Sequence, residues 1–291
     1  MLYNTSILKK GIDATFHKAY GAMQTQAYLA ALGSLFLTAP STGASEDYAW
    51  LGDVPGVREW IGDKALKGLK DYDYSIKNKD WYDGFAIDRN ELEDEKIAGI
   101  MPRVKMLAQT VAKWPSELIL DLIVNGTTNK AYDGNAFFAN RDDNDNLLAG
   151  SGVTAALIKT DITKARTAMM KYTSDQDRVM GLLMDTILCP PELEETFLEV
   201  CTSVAGEDTA RPAARWIKNI IVAPELSDTN DWYGFAAGSP LKPFIFQDRK
   251  GVSTVIDETQ VKRNRKIDYS AEMRGNAGYG FYQMAVKVVN E

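Results

Sequence analysis

Side chains able to do chemistry are few in this chain of 291 residues, and their spacing does not match any known catalytic or ligand-binding pattern. The run Asn140-Arg141-Asp142-Asp143-Asn144-Asp145-Asn146 alternates oxygen-bearing groups as a calcium loop would. Counted from Asp142, position six is Leu147 where such a loop turns on Gly, and position twelve is Val153 where it needs a bidentate Glu, so a solvated loop is expected. Gly275-x-x-Gly278-x-Gly280 inverts a dinucleotide fingerprint; no helix follows it, and glycines that allow a tight turn or close strand packing are expected instead. Gly150-Ser151-Gly152 lacks the nucleophile-elbow pattern, and His17 is the only histidine to serve as a base. No GxxxxGK[ST] loop occurs. Lys262-Arg263-x-Arg265-Lys266 is the densest basic run, but Asp257, Glu258 and Asp268 bracket it and no aromatics interleave. It reads as a solvated strand or an intersubunit ion-pair surface. No catalytic, cofactor-binding or metal-ligating residue is assigned, no cofactor is implied, and the chain is not expected to be an enzyme.

The elements around these residues suggest association. Trp60 to Glu95 reads as a long two-stranded hairpin running into an acidic helix start. Tyr72, Tyr74 and Ile76 alternate with polar residues, and Phe85 and Ile87 alternate again before the capping pattern Asn90-x-x-Glu93. A hairpin of this kind needs another surface to lie on. Residues 1 to 25 show no strong period and, with the loop Ala39 to Gly43, read as an extended arm. Ile97, Ile100, Met101, Val104, Leu107, Ala108 and Val111 mark one face of a helix, and Leu118, Ile119, Leu122 and Ile123 continue it to Asn125-Gly126. Pro102 is expected to kink or divide that helix, and Trp114-Pro115 to break it. Tyr132 to Asn146 is a polar loop holding Phe137-Phe138. From about residue 150 helices and strands alternate. Asp161 to Tyr172, capped by Asp161 or Thr160, and Glu192 to Val204 are predicted helices. Val179 to Cys189, Ile217 to Val222 and Trp232 to Ala237 are predicted strands. Pro243 to Phe246 and Val252 to Ile256 flank a turn at Asp248 to Gly251, and strands close the chain.

Composition sets the bounds. With 45% hydrophobic residues a substantial core is attainable. A net charge of −7 argues against a nucleic-acid coat. Cys189 and Cys201 sit in unlike settings and suggest no disulfide framework. The longest near-apolar run, Ala27 to Ala39, falls short of the roughly 18 residues a membrane helix requires, and no secretory signal is visible. A soluble chain made inside the cell is expected.

One series of residues carries a family resemblance. It begins at Pro40-Ser41-Thr42 and Glu46-x-Tyr48-x-Trp50-Leu51-Gly52, and runs through Val57-Arg58-Glu59-Trp60-Ile61-Gly62 and Tyr74-Ser75-Ile76-Lys77-Asn78-Lys79-x-Trp81. It ends at Ile87-x-Arg89-x-x-Leu92-Glu93-Asp94 and Tyr132-Asp133-Gly134-x-x-Phe137-Phe138. In this order the residues resemble the major head subunit of Mu-like tailed phages, strongly over the first half and by the pattern of elements over the second. Glu95 replaces an expected second Asp, and no histidine follows the Phe pair.

The resemblance implies an α+β fold of the Hong Kong 97 (HK97) capsid type. Its parts would be an N-terminal arm at 1–48 and a peripheral domain at 49–150, with an extended hairpin loop at 62–92 and a spine helix at 93–125. An α/β axial domain would follow at 151–240, and closing strands at 241–291 that the sequence does not assign to either domain. It implies a major capsid protein that self-assembles as hexamers and pentamers into an icosahedral shell. Portal and scaffolding proteins and packaged double-stranded DNA would be its partners, in a virion assembled in the host cytoplasm and without a membrane. The alternatives are an encapsulin-like nanocompartment shell and a small α/β enzyme. Tyr72, Tyr74, Ile76, Lys77, Lys79, Trp81, Phe85 and Ile87 are the expected intersubunit contacts. In an isolated subunit the apolar members should stand partly exposed, and the subunit should expose more than the roughly 12,000 Å² of a compact monomer.

Overall fold

The computed structural model describes residues 5–48, 51, 74–93, 97–142, 144–174, 178–202, 216–259 and 265–290. The chain opens with α1 (Thr5–Gln24), α2 (Ala27–Gly33), β1 (Phe36–Pro40) and β2 (Ser45–Asp47), followed by β3 (Ser75–Lys77), β4 (Lys79–Asp88), α3 (Arg89–Glu93) and α4 (Ile97–Val124). Next come β5 (Leu147–Ala149), α5 (Ala155–Lys171), β6 (Thr186–Cys189), α6 (Glu194–Thr202), β7 (Asn219–Val222) and β8 (Trp232–Phe235). The long strands β9 (Phe244–Asp257) and β10 (Lys266–Tyr279) lead to β11 (Ala285–Val289).

Two main sheets result. One has the order β1-β9-β10-β4, the other β5-β11-β8-β6-β7, and β2 pairs with β3 apart from both. The closing strands therefore divide: β9 and β10 complete the first sheet, and β11 enters the second between β5 and β8. Along β10 burial alternates residue by residue from Ile267 to Met273, the signature of a strand with one covered face. That face meets α4 and α1, where Ile100, Val104, Leu107, Ala108 and Val111 pack with Ile12, Phe16, Ile87 and Tyr269.

Helix α4 is a single helix of 28 residues, about 42 Å long. Pro102 and Pro115 both lie inside it, so Pro115 does not break the helix as expected and Pro102 does not divide it. Each removes one backbone donor, and packing along the helix outweighs that loss. Trp114 shows why the second site does not break. Its ring lies 5.9 Å from Trp81 and 5.2 Å from Phe246, and it contacts both the smaller core under β10 and the larger core between the sheets. The larger core is built on Phe137, which stacks on Tyr279 at 4.6 Å and meets Phe244 at 5.3 Å, while Phe235 meets Phe244 at 6.1 Å.

Four further expectations need correction. The N-terminal segment does not reach away as an arm: α1 lies on α4, Phe16 is 0% exposed, and Asp13 and Lys9 bond Thr254 and Glu258 of β9 and the turn after it. Strand β1 then pairs in parallel with β9 from Phe36↔Phe244 to Pro40↔Asp248. The turn expected at Asp248 to Gly251 is instead an irregularity in the register of one continuous strand, opposite Glu272 to Gly275. The strand expected over 179–189 forms only at Thr186–Cys189, and Val179 is 67% exposed. Upstream, the Asp185 carboxylate accepts the N–H groups of Ala237 and Gly238, and Gly181 takes a positive φ, which a regular strand does not allow. Helix α5 begins six residues before Asp161, which is buried within it and is no cap.

The chain exposes 16393 Å², well above the roughly 12,000 Å² expected for a compact monomer of its mass. Since Phe16 is a core residue, Phe16→Ala should destabilise the soluble subunit by about 3–5 kcal/mol in urea denaturation. A loss under about 1 kcal/mol would mean that α1 is detachable.

Candidate intersubunit surface

The segment from Tyr74 to Asp88 carries seven of the eight expected contact residues; Tyr72 lies outside the described residues. Residues 60–73 of the expected hairpin also lie outside the described residues; within 74–88 the two strands expected to pair do not pair with each other. Strands β3 and β4 are separated only by Asn78 and have different partners: β3 pairs with β2 from Ser45↔Lys77 to Asp47↔Ser75, and β4 pairs with β10 from Asp88↔Lys266 to Lys79↔Gly275. Tyr74 and Ile76 therefore do not face Phe85 and Ile87 across a turn.

The apolar members point inward. Ile76 is 4% exposed and occupies the space above Gly278, where a Cβ would collide with its Cδ1. Gly275 and Gly278 of β10 and Gly280 just after it each leave no room for a Cβ, so the glycine triplet serves close packing. The half-buried Tyr74 places its hydroxyl 2.7 Å from the Tyr279 N–H, which donates to it, and burial raises its pKa. Ile87 is 2% exposed against α4, Phe85 lies half-buried 5.8 Å from Tyr269, and Trp81 donates its indole N–H to the Gly275 carbonyl at 3.0 Å. The expectation that the apolar side chains stand partly exposed in a lone subunit fails for Ile76 and Ile87, because β2 and β10 of the same chain supply the surface that the strands need, while Tyr74, Trp81 and Phe85 are half-buried. Lys77 and Lys79 are exposed, and so is Tyr82, 82% exposed, which sequence reasoning passed over.

A polar knot holds β3 in place. The Glu46 carboxylate accepts the N–H groups of Thr42 (2.6 Å) and Gly43 (2.9 Å) and the Ser41 hydroxyl (2.9 Å). Buried Asn78 donates to the Ser41 hydroxyl and the Gly43 carbonyl, and Arg249 donates to the Ser41 carbonyl. The first two motifs of the family resemblance therefore meet in one loop. The Gly43 and Thr42 amides, then the Ser41 hydroxyl, hold the Glu46 pKa below its ordinary 4.5.

The other candidate residues have structural partners too. Asn146 is 0% exposed and donates to the Phe137 and Tyr282 carbonyls, while the Arg141 guanidinium binds Asp133 at 2.8 Å and lies 3.8 Å from the Tyr282 ring centre. The supposed calcium loop, apart from Asp143, which is not described, thus clamps the Phe137 turn to the closing strands. Ser151 is held by buried Asp161 through its N–H (2.6 Å) and hydroxyl (2.7 Å). His17 is exposed on α1, 3.7 Å from Asp13. Burial pushes the Cys189 thiol up to about 12 and the Cys201 thiol to about 11, which suppresses the reactive thiolate. Of the basic run, residues 260–264 lie outside the described residues. Arg265, at φ 54°, accepts the Arg89 N–H through its carbonyl. Among the described residues no group of acidic, histidine or cysteine side chains could hold a metal ion, and no helix is long and apolar enough to cross a membrane.

Two sheets packed with the long helix α4, with the last described strand returned to the second sheet, define the architecture. The fold is similar to that of the procapsid of bacteriophage JBD30, with a TM-score of 0.57 and 23% identity over 98% of this chain and 76% of that one. It is likewise similar to a virus-like particle from Pyrococcus furiosus, with a TM-score of 0.59 and 11% identity over 96% of this chain and 98% of that one. The architecture is the HK97-type capsid fold.

Residues 6–154 and 218–291 match the family model of the Mu-like prophage major head subunit gpT, and the chain belongs to that family. It is 26% identical over 249 residues to the Mu-like prophage FluMu major head subunit of Haemophilus influenzae, covering 84% of this chain and 61% of that protein. It is 26% identical over 252 residues to the major capsid protein of Escherichia phage Mu, covering 85% of this chain and 63% of that protein. The chain thus spans under two thirds of the length of these relatives.

Two outcomes test the site. Ile76→Ala should cost the soluble subunit about 2–5 kcal/mol, read by chemical denaturation; an unchanged midpoint would return β3 to the surface. Because the folded Glu46 pKa is depressed, its contribution is present above pH 4.5 and lost as pH falls through the lower folded value. The stability gap between wild type and Glu46→Gln should therefore shrink below pH 4.5; a gap constant from neutral pH into acid would contradict the knot.

Proposed function

We propose that this chain is the shell-forming subunit of a tailed-phage or prophage head. The observation that carries the reading is the family match, which spans residues of both main sheets. The mechanism is self-association without a chemical step. Copies would gather as hexamers and pentamers, and many individually weak contacts would add into a closed shell. Residues 151–240 would form the axial domain around each capsomer axis, and the spine helix with the β9–β10 sheet the peripheral one. Portal and scaffolding proteins would act during assembly in the host cytoplasm, and double-stranded DNA would be packed inside the finished virion. Of the expected contact residues, Lys77 and Lys79 keep that role because they are exposed. Trp81 and Phe85 are half-available, and Ile76 and Ile87 belong to the subunit's own core.

A nanocompartment shell is the second reading, favoured by the likeness to the Pyrococcus furiosus particle. The family match weighs for the phage head, and nucleic acid inside particles would separate the two. The purified chain should form closed shells visible by electron microscopy and sedimenting far ahead of a 32.3 kDa monomer. A strictly monomeric product at every concentration and salt condition would overturn the proposal.

A further inference from the structure

Helices α5 and α6 pack against each other in one layer over the five-stranded sheet, α5 toward β11 and α6 toward β7. They carry opposite charge. The exposed face of α5 presents Lys159, Lys164 and Lys171, and its one carboxylate, Asp161, is buried. Between the lysines, the hydroxyls of Thr160, Thr163 and Thr167 turn back onto helix carbonyls, so the ammonium groups dominate that face. α6 and the turn before it expose Glu192, Glu194, Glu195 and Glu199 and contain no lysine or arginine.

Lys164 bonds Asp161 and Ser151, but among the described residues Lys159, Lys171 and the four glutamates make no ion pair. Glu195 and Glu199 are four apart on one helix, an arrangement that repels in isolation. Segregated, unpaired charge of both signs in one layer suits a partner with the same layer. A polyanion does not fit, because the adjoining glutamates outnumber the lysines and would repel phosphate.

We infer that the lysine face of α5 docks on the glutamate face of α6 in a second copy of this chain. Every copy offers both halves, so the contact can pass from subunit to subunit around a ring. The inference rests on the shell reading and names one of its contacts. Exposed pairs of this kind are individually weak and sensitive to salt, so they would set register between copies more than they would hold the shell together.

Charge reversal with rescue tests it in the full chain. K159E/K171E and E195K/E199K should each fold normally by circular dichroism, since among the described residues none of these side chains makes an ion pair. Each should assemble at least about tenfold less well than wild type by sedimentation and electron microscopy. The combined variant carrying all four changes should regain assembly. Should a reversed chain fold poorly, the glutamine versions K159Q/K171Q and E195Q/E199Q serve, with a smaller loss expected. Wild-type yields from both reversals, or loss without rescue, would overturn this contact while leaving the shell reading intact. Lysine reversal that spares assembly but empties the particles of nucleic acid would assign the face to DNA and overturn it as well. If the wild-type chain forms no particles, the shell reading itself fails and the contact falls with it.

Discussion

Strand β10 is the constraint on which the rest of the subunit depends. It pairs with β4 on one edge and β9 on the other, and its alternate residues Ile267, Tyr269, Ala271 and Met273 form the floor beneath α4 and α1. A one-residue slip would turn that floor to solvent and lift off both helices. At its far end the alternation stops and every side chain is buried, because the strand enters the aromatic cluster of Phe137, Phe244 and Tyr279. The chain then crosses a short 3-10 turn, Tyr282–Met284, into β11 of the second sheet. The two sheets are thus coupled by covalent continuity and by one shared core.

Several polar groups fix a turn against that core. Glu46 gathers the loop that positions β3, Asn146 and Arg141 hold the Phe137 turn, and Asp185 binds the backbone after β8. A buried polar group left without partners would cost stability, so each of these brings its own donors or acceptors. Glu46, Asn78, Asp133 and Phe137 are therefore family-motif residues with intrasubunit roles. Among the described residues, charge without an ion-pair partner stands segregated by sign on α5 and α6, and Lys77 of β3 and Lys79 of β4 are exposed.

How far the fold could be read from sequence follows from the kind of signal. Helix α4 was legible because its apolar residues keep one stripe over seven turns, and packing overrode both prolines. Helix α1 carries the same signal in weaker form. Ile12, Phe16, Tyr20 and Met23 fall three and four apart, but Gly11, Gly21 and many polar neighbours dilute it. The apolar run 179–189 was over-read as strand, since a short apolar segment has no period to test. The alternation from Tyr74 to Ile87 correctly marked strand but could not name its partners: β4 pairs with β10, nearly two hundred residues away, and no local pattern encodes that. Hence the expected contact residues fall on strands that turn Ile76 and Ile87 into the subunit's own core. Tyr82 was missed because it stands out of the aliphatic alternation, and the α5–α6 charge segregation because it needs two distant helices side by side.

The most direct measurement is an electron cryomicroscopy reconstruction of assembled particles of this chain, at a resolution that traces side chains. It should show α1 lying on the α4 of its own subunit, Ile76 seated over its own Gly278, and contacts between copies made through charged and exposed groups. A shell in which α1 or the Tyr74–Ile76 segment packs into a neighbour's core would contradict the self-contained subunit described above.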